Sequence, residues 1–438
     1  MKKYYAREAL LPRGWARDVT IAVHKGDIVE VKAGAPDGER LAGPVLPGMA
    51  NLHSHAFQRG MAGLTETRGP AADDFWTWRE LMYRFVERVT PAHAKAIATH
   101  LYIEMLLHGY TAVAEFHYVH DPAGALDRHL AAAREAGIAI TLLPSLYSWS
   151  GFGEKPLLPR QRRFSSTVGD IAKSVAALQP ELSADVRVGV APHSLRAVDP
   201  AALKEVVRIA DGPIHIHAAE QTKEVDECKA ALGKRPVEWL LSQMPVDERW
   251  CIVHATHMTD EETRALAASG AVAGLCPTTE GNLGDGIFPL AEYRASGGRY
   301  GIGGDSHVSR DPAEELRLLE YFQRVSARKR NIVTTERSPG VGTTLWSEAA
   351  AGGAQAVGRR MGAIAAGMRA DLVVLDAQHV DLEGRHGDAL ANALVFSGGS
   401  GFVRDVMVAG RWVVRSKRHS KARQAGATYK RTLKDLLA

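Results

Sequence analysis

Apolar and polar residues alternate at both ends of the chain, in the pattern that is typical of short β-strands. The stretch DVTIAVHKGDIVEVKAG, residues 18–34, alternates on both sides of a turn at residues 25–27, and residues 370–378 and 403–416 show the same period. A period of two predicts strands that bury one face. We expect the two ends to build one small β-sandwich domain together, followed by a closing helix at TYKRTLKDLLA.

The middle of the chain alternates short apolar runs with longer helical patterns. The apolar runs predict eight strands, at residues 48–53, 111–116, 138–145, 186–193, 213–218, 250–255, 271–277 and 300–305. Strands that alternate with helices form a parallel sheet, and eight such units predict an α/β fold, a closed (β/α)8 barrel of the TIM type. A doubly wound sheet is the competing architecture, but no glycine-rich phosphate loop follows an early strand.

The expected organisation is therefore a barrel combined with one small domain. Residues 1–47 supply the N-terminal part of the small β domain, residues 48–364 form the barrel, and residues 365–438 supply the rest of the β domain and the terminal helix. A chain of 438 residues is long enough for both units.

An aromatic-rich insertion, LTETRGPAADDFWTWRELMYRFVERVT at residues 64–90, separates the first predicted strand from its helix. Its periodicity predicts a helix of its own from about Asp73. An insertion after a barrel strand lies at the catalytic face, so this segment is expected to cover the site and to contribute residues. Its aromatic side chains form either a small satellite core, which we favour, or a lid; they are Phe75, Trp76, Trp78 and Tyr83.

Composition and charge narrow the class of protein. Hydrophobic residues make up 45% and charged residues 24% of the chain, and the net charge is only +4. A dedicated nucleic-acid binder would carry a more concentrated positive charge. The three cysteines form no CxxC pair, and no run approaches the ~20 apolar residues that a membrane helix needs. We expect a soluble cytoplasmic protein without nucleic-acid or membrane partners.

Histidines and carboxylates collect where the predicted strands end. The side chains at these ends are His53, His55, His117, Tyr118, His193, His215, His217, Glu220, His254 and Asp305, whereas the third and seventh strands offer little. The C-terminal ends of barrel strands form the catalytic face. Imidazoles and carboxylates together match a borderline metal such as zinc. Each of the 18 histidines is weak evidence alone, but HxH, HxxE, a strand-end histidine and a final aspartate in this order are a stronger signal.

On these motifs the chain resembles the amidohydrolase superfamily and, within it, the mononuclear deaminase branch. The motifs are HSH at 53–55, HIHAAE at 215–220, VHA at 253–255 and GGDS at 303–306. The paired β ends extend the resemblance over nearly the whole chain. A narrower resemblance, to the N-formimino-L-glutamate deiminase family of histidine breakdown, is carried by HSHAFQR at 53–59, EFHYVH at 115–120 and APHSLRAV at 191–198.

The resemblance implies one divalent metal, zinc or alternatively Fe²⁺, and a homodimer. The implied ligands are His53, His55, His217 and Asp305. The strand pleat makes His215 a rival of His217, and the HxxE spacing to Glu220 favours His217. No strand end offers the lysine that bridges two metals in binuclear relatives.

The resemblance also implies a hydrolytic mechanism with three catalytic residues. Asp305 accepts a proton from a metal-activated water, whose pKa falls to ~7, and His254 orients that water. Glu220 protonates the imine nitrogen of the substrate. Water attacks the formimino carbon, and the products are N-formyl-L-glutamate and ammonia. The alternative to catalytic roles for Glu220 and Asp305 is that each is a carboxylate at the start of a helix. As a helix N-cap, however, Asp311 fits better than Asp305 does.

A substrate with two carboxylates needs cationic forks and hydroxyl or amide donors. The resemblance assigns substrate binding to Gln58, Arg79, Tyr118, His193 and Arg196. The competing functions are a deaminase of guanine, a related purine or a cytosine-like ring, and a chlorohydrolase or amidase. A non-catalytic scaffold without a metal is a further alternative.

Overall fold

The structure is a computed structural model that describes residues 1–34, 36–68, 73–120, 125–336 and 338–438. Its strands are β1 Lys2–Leu11, β2 Gly14–His24, β3 Asp27–Lys32, β4 Glu39–Arg40, β5 Val45–Pro47, β6 Met49–Ser54, β7 Tyr110–His117, β8 Ala139–Leu146, β9 Val186–Val188, β10 Ala191–Pro192, β11 Ile214–Ala218, β12 Trp250–His254, β13 Val272–Leu275, β14 Arg299–Ile302, β15 Leu372–Leu375, β16 Val403–Val408 and β17 Arg411–Val414.

The α-helices surround the middle strands and close the chain. They are α1 Phe75–Arg88, α2 Pro91–His108, α3 Ala125–Ala136, α4 Val168–Leu178, α5 Pro200–Val206, α6 Thr222–Leu232, α7 Pro236–Gln243, α8 Asp260–Ala268, α9 Pro277–Leu283, α10 Leu290–Ala295, α11 Pro312–Ala327, α12 Val341–Ala356, α13 Asp388–Ala393 and α14 Ala422–Leu437. Within the described ranges, none of these helices is long and apolar enough to cross a membrane.

The strands from the two chain ends share one mixed sheet, in the order β17-β16-β15-β5-β1-β2-β3, with β4 paired to β1. Val45 of β5 joins the ends, because it pairs with Ala9 on one side and Val374 on the other. The predicted turn at residues 25–27 is a tight hairpin: Lys25 and Gly26 both have positive φ, as a type I′ turn requires. The prediction of one small β domain built from both ends is confirmed.

Two runs of parallel strands, β6 to β10 and β11 to β14, form the barrel. Backbone hydrogen bonds at two seams close it. The N–H of Asp305 donates to the carbonyl of His53 over 2.9 Å, and the N–H of His217 donates to the carbonyl of His193 over 3.1 Å. The predicted closed barrel is confirmed, and its seams set polar residues of distant strands side by side. The predicted strand at 186–193 is interrupted by Gly189, where a Cβ would lie 2.1 Å from the carbonyl oxygen of Pro213.

Local capping explains where the helices near the site begin. The Asp74 side chain accepts the N–H groups of Trp76 and Thr77, so α1 starts at the next residue, close to the predicted start. Asp311 caps α11 by accepting the N–H of Ala313, as the sequence predicts. These caps fix the first residues of α1 and α11.

The closing helix α14 packs against the barrel helix α2. The ring of Tyr429 stacks on His100 at a centroid distance of 4.5 Å, and its hydroxyl donates to the carbonyl of Arg59. His93 lies 2.8 Å from the carboxylate of Asp435. The terminal helix therefore supports the barrel wall behind the first strand.

Candidate metal centre and active site

Four buried side chains from three distant parts of the chain meet at the carboxyl ends of β6, β11 and β14. The Nε2 atoms of His53 and His217 lie 3.0 Å apart, and those of His55 and His217 lie 3.4 Å apart. The Oδ1 atom of Asp305 is 3.5 Å from the Nε2 of His53 and 3.4 Å from that of His55. The structure thus brings together all four predicted ligands.

The spacing of these atoms fits a tetrahedral ion. Bonds of about 2.0–2.1 Å to nitrogen and oxygen give tetrahedral edges of about 3.3 Å. The observed separations, 3.0 to 3.5 Å, lie around that value. Nitrogen lone pairs that face each other and a carboxylate at this range repel one another unless a cation lies between them. The donor set therefore fits a divalent metal.

Backbone carbonyls orient two of the imidazoles. The Nδ1 of His55 lies 2.8 Å from the carbonyl oxygen of Phe116, and the Nδ1 of His217 lies 2.9 Å from that of His193. Each Nδ1–H therefore donates outward, which leaves the Nε2 lone pair for a metal. Burial lowers the pKa of His53, His55 and His217, so the rings are neutral, as ligands must be.

The structure separates the rival histidines of β11. His215 points its Nε2 to the carbonyl oxygen of Ala356, 2.8 Å away. It does not belong to the group of ligand atoms that contains His217. The geometry therefore favours His217, in agreement with the HxxE spacing.

The three predicted catalytic residues lie around the metal centre. The Nε2 of His254 is 3.6 Å from Oε1 of Glu220 and 3.9 Å from Oδ2 of Asp305. Burial raises the pKa of the Glu220 carboxyl to about 7, although His254 and Arg196 oppose the shift. Burial alone would lower the pKa of His254, but the charges of Glu220, Glu280 and Asp305 raise it. Glu220 is therefore suited to take and release a proton near neutral pH.

The strand ends that carry these groups are strained. Ala219, His254, Ala255 and Asp305 have φ values of 53°, 67°, 49° and 47°, a region that costs non-glycine residues about 1–3 kcal/mol each. Such outliers cluster at functional sites, where the surrounding structure enforces them.

The predicted substrate-binding residues line one cavity above the metal centre. Gln58, Arg79, Tyr118, His193 and Arg196 all lie in its wall, with His55, His217, Glu220, His254 and Asp305 at its base. The Nε2 of Gln58 donates to the hydroxyl of Tyr118 over 2.8 Å. His53 is completely buried below the cavity. All predicted site residues therefore converge on one place.

The two arginines of the cavity carry unused donors. In both Arg79 and Arg196, the buried Nε and Nη1 atoms have no hydrogen-bond partner in the described part of the chain. Their guanidinium carbons lie 4.7 and 5.8 Å from the ring centre of Trp76. Stacking holds the two cations, while their N–H groups stay available for an anionic ligand.

The aromatic insertion forms part of the cavity wall. Phe75, Trp78 and Tyr83 of α1 line the cavity, and Phe75 and Tyr83 are almost fully buried. The preferred interpretation, a satellite core, is therefore incomplete, because these rings also cover the site. Residues 69–72 of the insertion lie outside the described residues.

Glu280 and Tyr147 are two of the site residues that sequence reasoning missed. Glu280, in the first turn of α9, lies 3.2 Å from Nδ1 of His254 and also accepts the N–H of Cys276. Tyr147, just after β8, lines the cavity. Glu280 follows the seventh predicted strand, and Tyr147 follows the third. These are the two strands for which the sequence analysis found few candidate site residues. Searching one helical turn beyond each strand end would have found Glu280.

The profile of the amidohydrolase family matches residues 45–413. A second profile, formimidoylglutamate deiminase HutF, N-terminal domain, matches residues 1–40. The two matches cover the barrel and both parts of the end sheet, and they agree with the resemblance that the motifs indicate.

Two relatives align over most of the chain. Formimidoylglutamate deiminase of Pseudomonas aeruginosa is 52% identical over 452 residues, and the alignment covers 100% of each protein. The 8-oxoguanine deaminase of the same organism is 31% identical over 386 residues, which cover 84% of this chain and 82% of the relative. The deaminase of the purine ring is thus the more distant of the two.

Solved structures agree. An amidohydrolase from Brucella melitensis has 45% sequence identity and a TM-score of 0.95 over 100% of both chains. An adenosine deaminase from Xanthomonas campestris with bound zinc has 21% identity and a TM-score of 0.83, over 99% of this chain and 98% of its own, and shows the shared fold. Together with the profiles and the full-length relative, these matches show that the chain belongs to the amidohydrolase family, whose members are metal-dependent, in the group that contains formimidoylglutamate deiminase.

Proposed function

We propose that this chain hydrolyses N-formimino-L-glutamate to N-formyl-L-glutamate and ammonia. One observation carries the proposal: two arginines, whose buried Nε and Nη1 atoms have no hydrogen-bond partner among the described residues, share a cavity with a metal-ligand set. Arg79 and Arg196 offer two cationic forks, and the proposed substrate has two carboxylates. A purine ring would offer these two forks neutral acceptors and no carboxylate, so it would form a charge-assisted pair with neither arginine.

We propose zinc as the metal and His53, His55, His217 and Asp305 as the residues that hold it; Fe²⁺ is the alternative. Zinc is the metal named for the adenosine deaminase of the same fold. A divalent ion in this position lowers the pKa of a water molecule and so makes it a nucleophile at neutral pH.

Three residues of the chain then move protons around the attacking water. Oδ2 of Asp305 accepts a proton from the water. His254, whose Nε2 lies 3.9 Å from that oxygen, orients the water. Glu220 donates a proton to the imine nitrogen, so the formimino carbon becomes more electrophilic. The water oxygen bonds to that carbon and gives a tetrahedral intermediate.

Collapse of the tetrahedral intermediate releases ammonia. Asp305 returns the proton taken from water to the departing nitrogen, Glu220 accepts the hydroxyl proton as the carbonyl forms, and the carbon–nitrogen bond breaks. Both carboxyl groups thereby regain their starting protonation states. One water is consumed, and no covalent intermediate with the protein is required. Gln58, Tyr118 and His193 lie in the cavity wall, where they can hold the substrate during both steps.

The first prediction concerns substrate choice. Purified protein is expected to release one ammonia for each N-formimino-L-glutamate consumed, because the cavity offers two cationic forks for the two carboxylates. Ammonia release, measured in parallel on guanine and 8-oxoguanine, is expected to stay at the blank level. Faster turnover of either purine would contradict the proposal.

The second prediction concerns metal content. Elemental analysis of the purified protein is expected to give one equivalent of zinc per chain, since one group of four potential ligands is found in the described part of the chain. His217→Ala, which removes the central imidazole, is expected to lower that content to below one tenth, whereas His215→Asn is expected to keep it. A protein without stoichiometric metal would support a non-catalytic scaffold instead.

The homodimer, the cytoplasmic location and the domain boundaries stay predictions. Gel filtration with light scattering would test the homodimer.

A further inference from the structure

A buried polar cluster lies behind the first barrel strand, on the side away from the metal centre. It consists of Glu115 on β7, Ser54 on β6, Tyr102 on α2, His129 on α3 and His307 after β14, all fully buried. Side chains alternate along a strand, so Glu115 faces the helices while its neighbour Phe116 faces the metal ligands. Carboxylates are rarely buried completely unless they are paired, so Glu115 needs an explanation.

The Glu115 carboxylate accepts three hydrogen bonds. Oε2 accepts the hydroxyl protons of Ser54 over 2.6 Å and Tyr102 over 2.9 Å, and Oε1 accepts the N–H of Ala56 over 2.9 Å. In the described part of the chain no lysine or arginine forms an ion pair with it; Nδ1 of His129 is 3.7 Å away. Glu115, His117 and His129 also offer three ligand atoms within 4.8 Å of one another, but we assign the Glu115 carboxylate to the three hydrogen bonds that it accepts.

These contacts fix the conformation of the two-histidine segment. Ser54 and Ala56, the residues on either side of His55, are both tied to Glu115. In the ladder between β6 and β7, Asn51 pairs with Val113 and Ser54 pairs with Glu115, so β6 uses one residue more than β7. A bulge of this kind redirects side chains. The Ser54–Glu115 pair closes the bulge that contains His53.

The same cluster reaches the fourth ligand. Ser54 also pairs with Asp305 across the seam, and its Oγ lies 2.8 Å from Nε2 of His307. The one hydroxyl proton of Ser54 goes to Glu115, so His307 donates its Nε2–H to Ser54. Since His307 follows Asp305 by two residues, this chain of hydrogen bonds links the first strand to the loop that carries Asp305.

We propose that Glu115 is a positioning residue for the metal: through Ser54, Ala56 and His307 it holds His53, His55 and Asp305 in their ligand geometry. The inference rests on the metal site of the proposed function. It makes Glu115 a determinant of metal affinity although it touches neither the ligand atoms nor the substrate cavity.

The test is a measurement of Zn²⁺ affinity by competition with a chromophoric chelator. Loss of a residue that orients metal ligands typically weakens binding by about 10–100-fold, and we expect this for Glu115→Gln and Ser54→Ala. Tyr102→Phe is the matched control, because it also removes one hydrogen bond from Oε2 but leaves the ties to the ligand segment. Its affinity is expected to stay within about twofold of the wild type.

A second readout separates positioning from general destabilisation. The visible absorption of Co²⁺-loaded protein reports ligand geometry, and we expect altered bands in Glu115→Gln and Ser54→Ala but not in Tyr102→Phe. Wild-type affinity and spectrum in both of the first two variants, or equal losses in the control, would overturn the proposal. If Glu115→Gln does not fold, the comparison of Ser54→Ala with Tyr102→Phe decides alone. None of these readouts uses the substrate, so they remain valid even if the proposed reaction is wrong.

Discussion

Replacement of Glu220 by glutamine is expected to lower kcat by about 10³-fold and to leave one equivalent of zinc bound. Glu220 lies beside His254, 3.6 Å away, and is not among the four ligand side chains. Burial raises the pKa of its carboxyl to about 7, so it can hold and release a proton at the pH of the assay. Glutamine keeps the shape and the hydrogen bonding but cannot transfer a proton.

The partition between kcat and KM tests this role. An interaction made only in the transition state lowers kcat and kcat/KM equally, whereas lost substrate binding raises KM. Glu224→Gln is the matched control: Glu224 is also a buried carboxyl, four residues later, and it accepts the N–H of Glu220 over 3.1 Å but does not line the cavity. We expect its kcat within about tenfold of the wild type. A Glu220→Gln variant with normal kcat, or one without zinc, would exclude the proposed proton transfer.

Much of this site could be predicted because the chemistry follows from strand order. In a closed barrel every strand ends at the same face, so His53, His217, His254 and Asp305 had to be neighbours once the eight strands were placed. The choice of His217 over His215 depended on the spacing to Glu220, since the pleat alone treats the two alike. The resemblance to a family supplied the assignment of these residues to metal binding, catalysis and substrate binding.

The remaining features depend on contacts that local patterns do not encode. In the sequence, Glu115 is one polar residue in an apolar strand. Its role becomes visible only in the folded chain, where it contacts Ser54 and, through Ser54, is linked to His307. The bulge in β6 arises from the register with β7, which involves residues about 60 positions away. Glu280 belongs to a helix whose first turn reaches back to His254. Each of these is a long-range effect of closing the barrel.

Replacement of Arg196 by methionine is expected to lower kcat/KM for N-formimino-L-glutamate by about 30- to 1,000-fold, mainly through KM. Removal of one partner from a buried charge pair costs about 2–4 kcal/mol, and tenfold corresponds to about 1.4 kcal/mol. Arg196 is 6% exposed, its Nε and Nη1 have no partner in the described chain, and its guanidinium carbon lies 5.7 Å from the ring centre of Phe75. Methionine retains most of the packing but none of the donors.

Two substrate analogues make the test specific. N-formimino-4-aminobutyrate lacks the α-carboxylate, and N-formimino-2-aminobutyrate lacks the side-chain carboxylate. If Arg196 binds one carboxylate, the analogue without that group should already react slowly with the wild type and should be little affected by Arg196→Met. Arg196→Lys keeps the charge but loses the planar fork, so its kcat/KM should lie between those of the wild type and Arg196→Met.

Arg79→Met is expected to show the opposite preference between the analogues, because two forks in one cavity can each hold one carboxylate. Equal losses on both analogues in every variant would mean that Arg196 supports the cavity wall without binding a carboxylate, and the assignment of a dicarboxylate substrate would lose its main structural support.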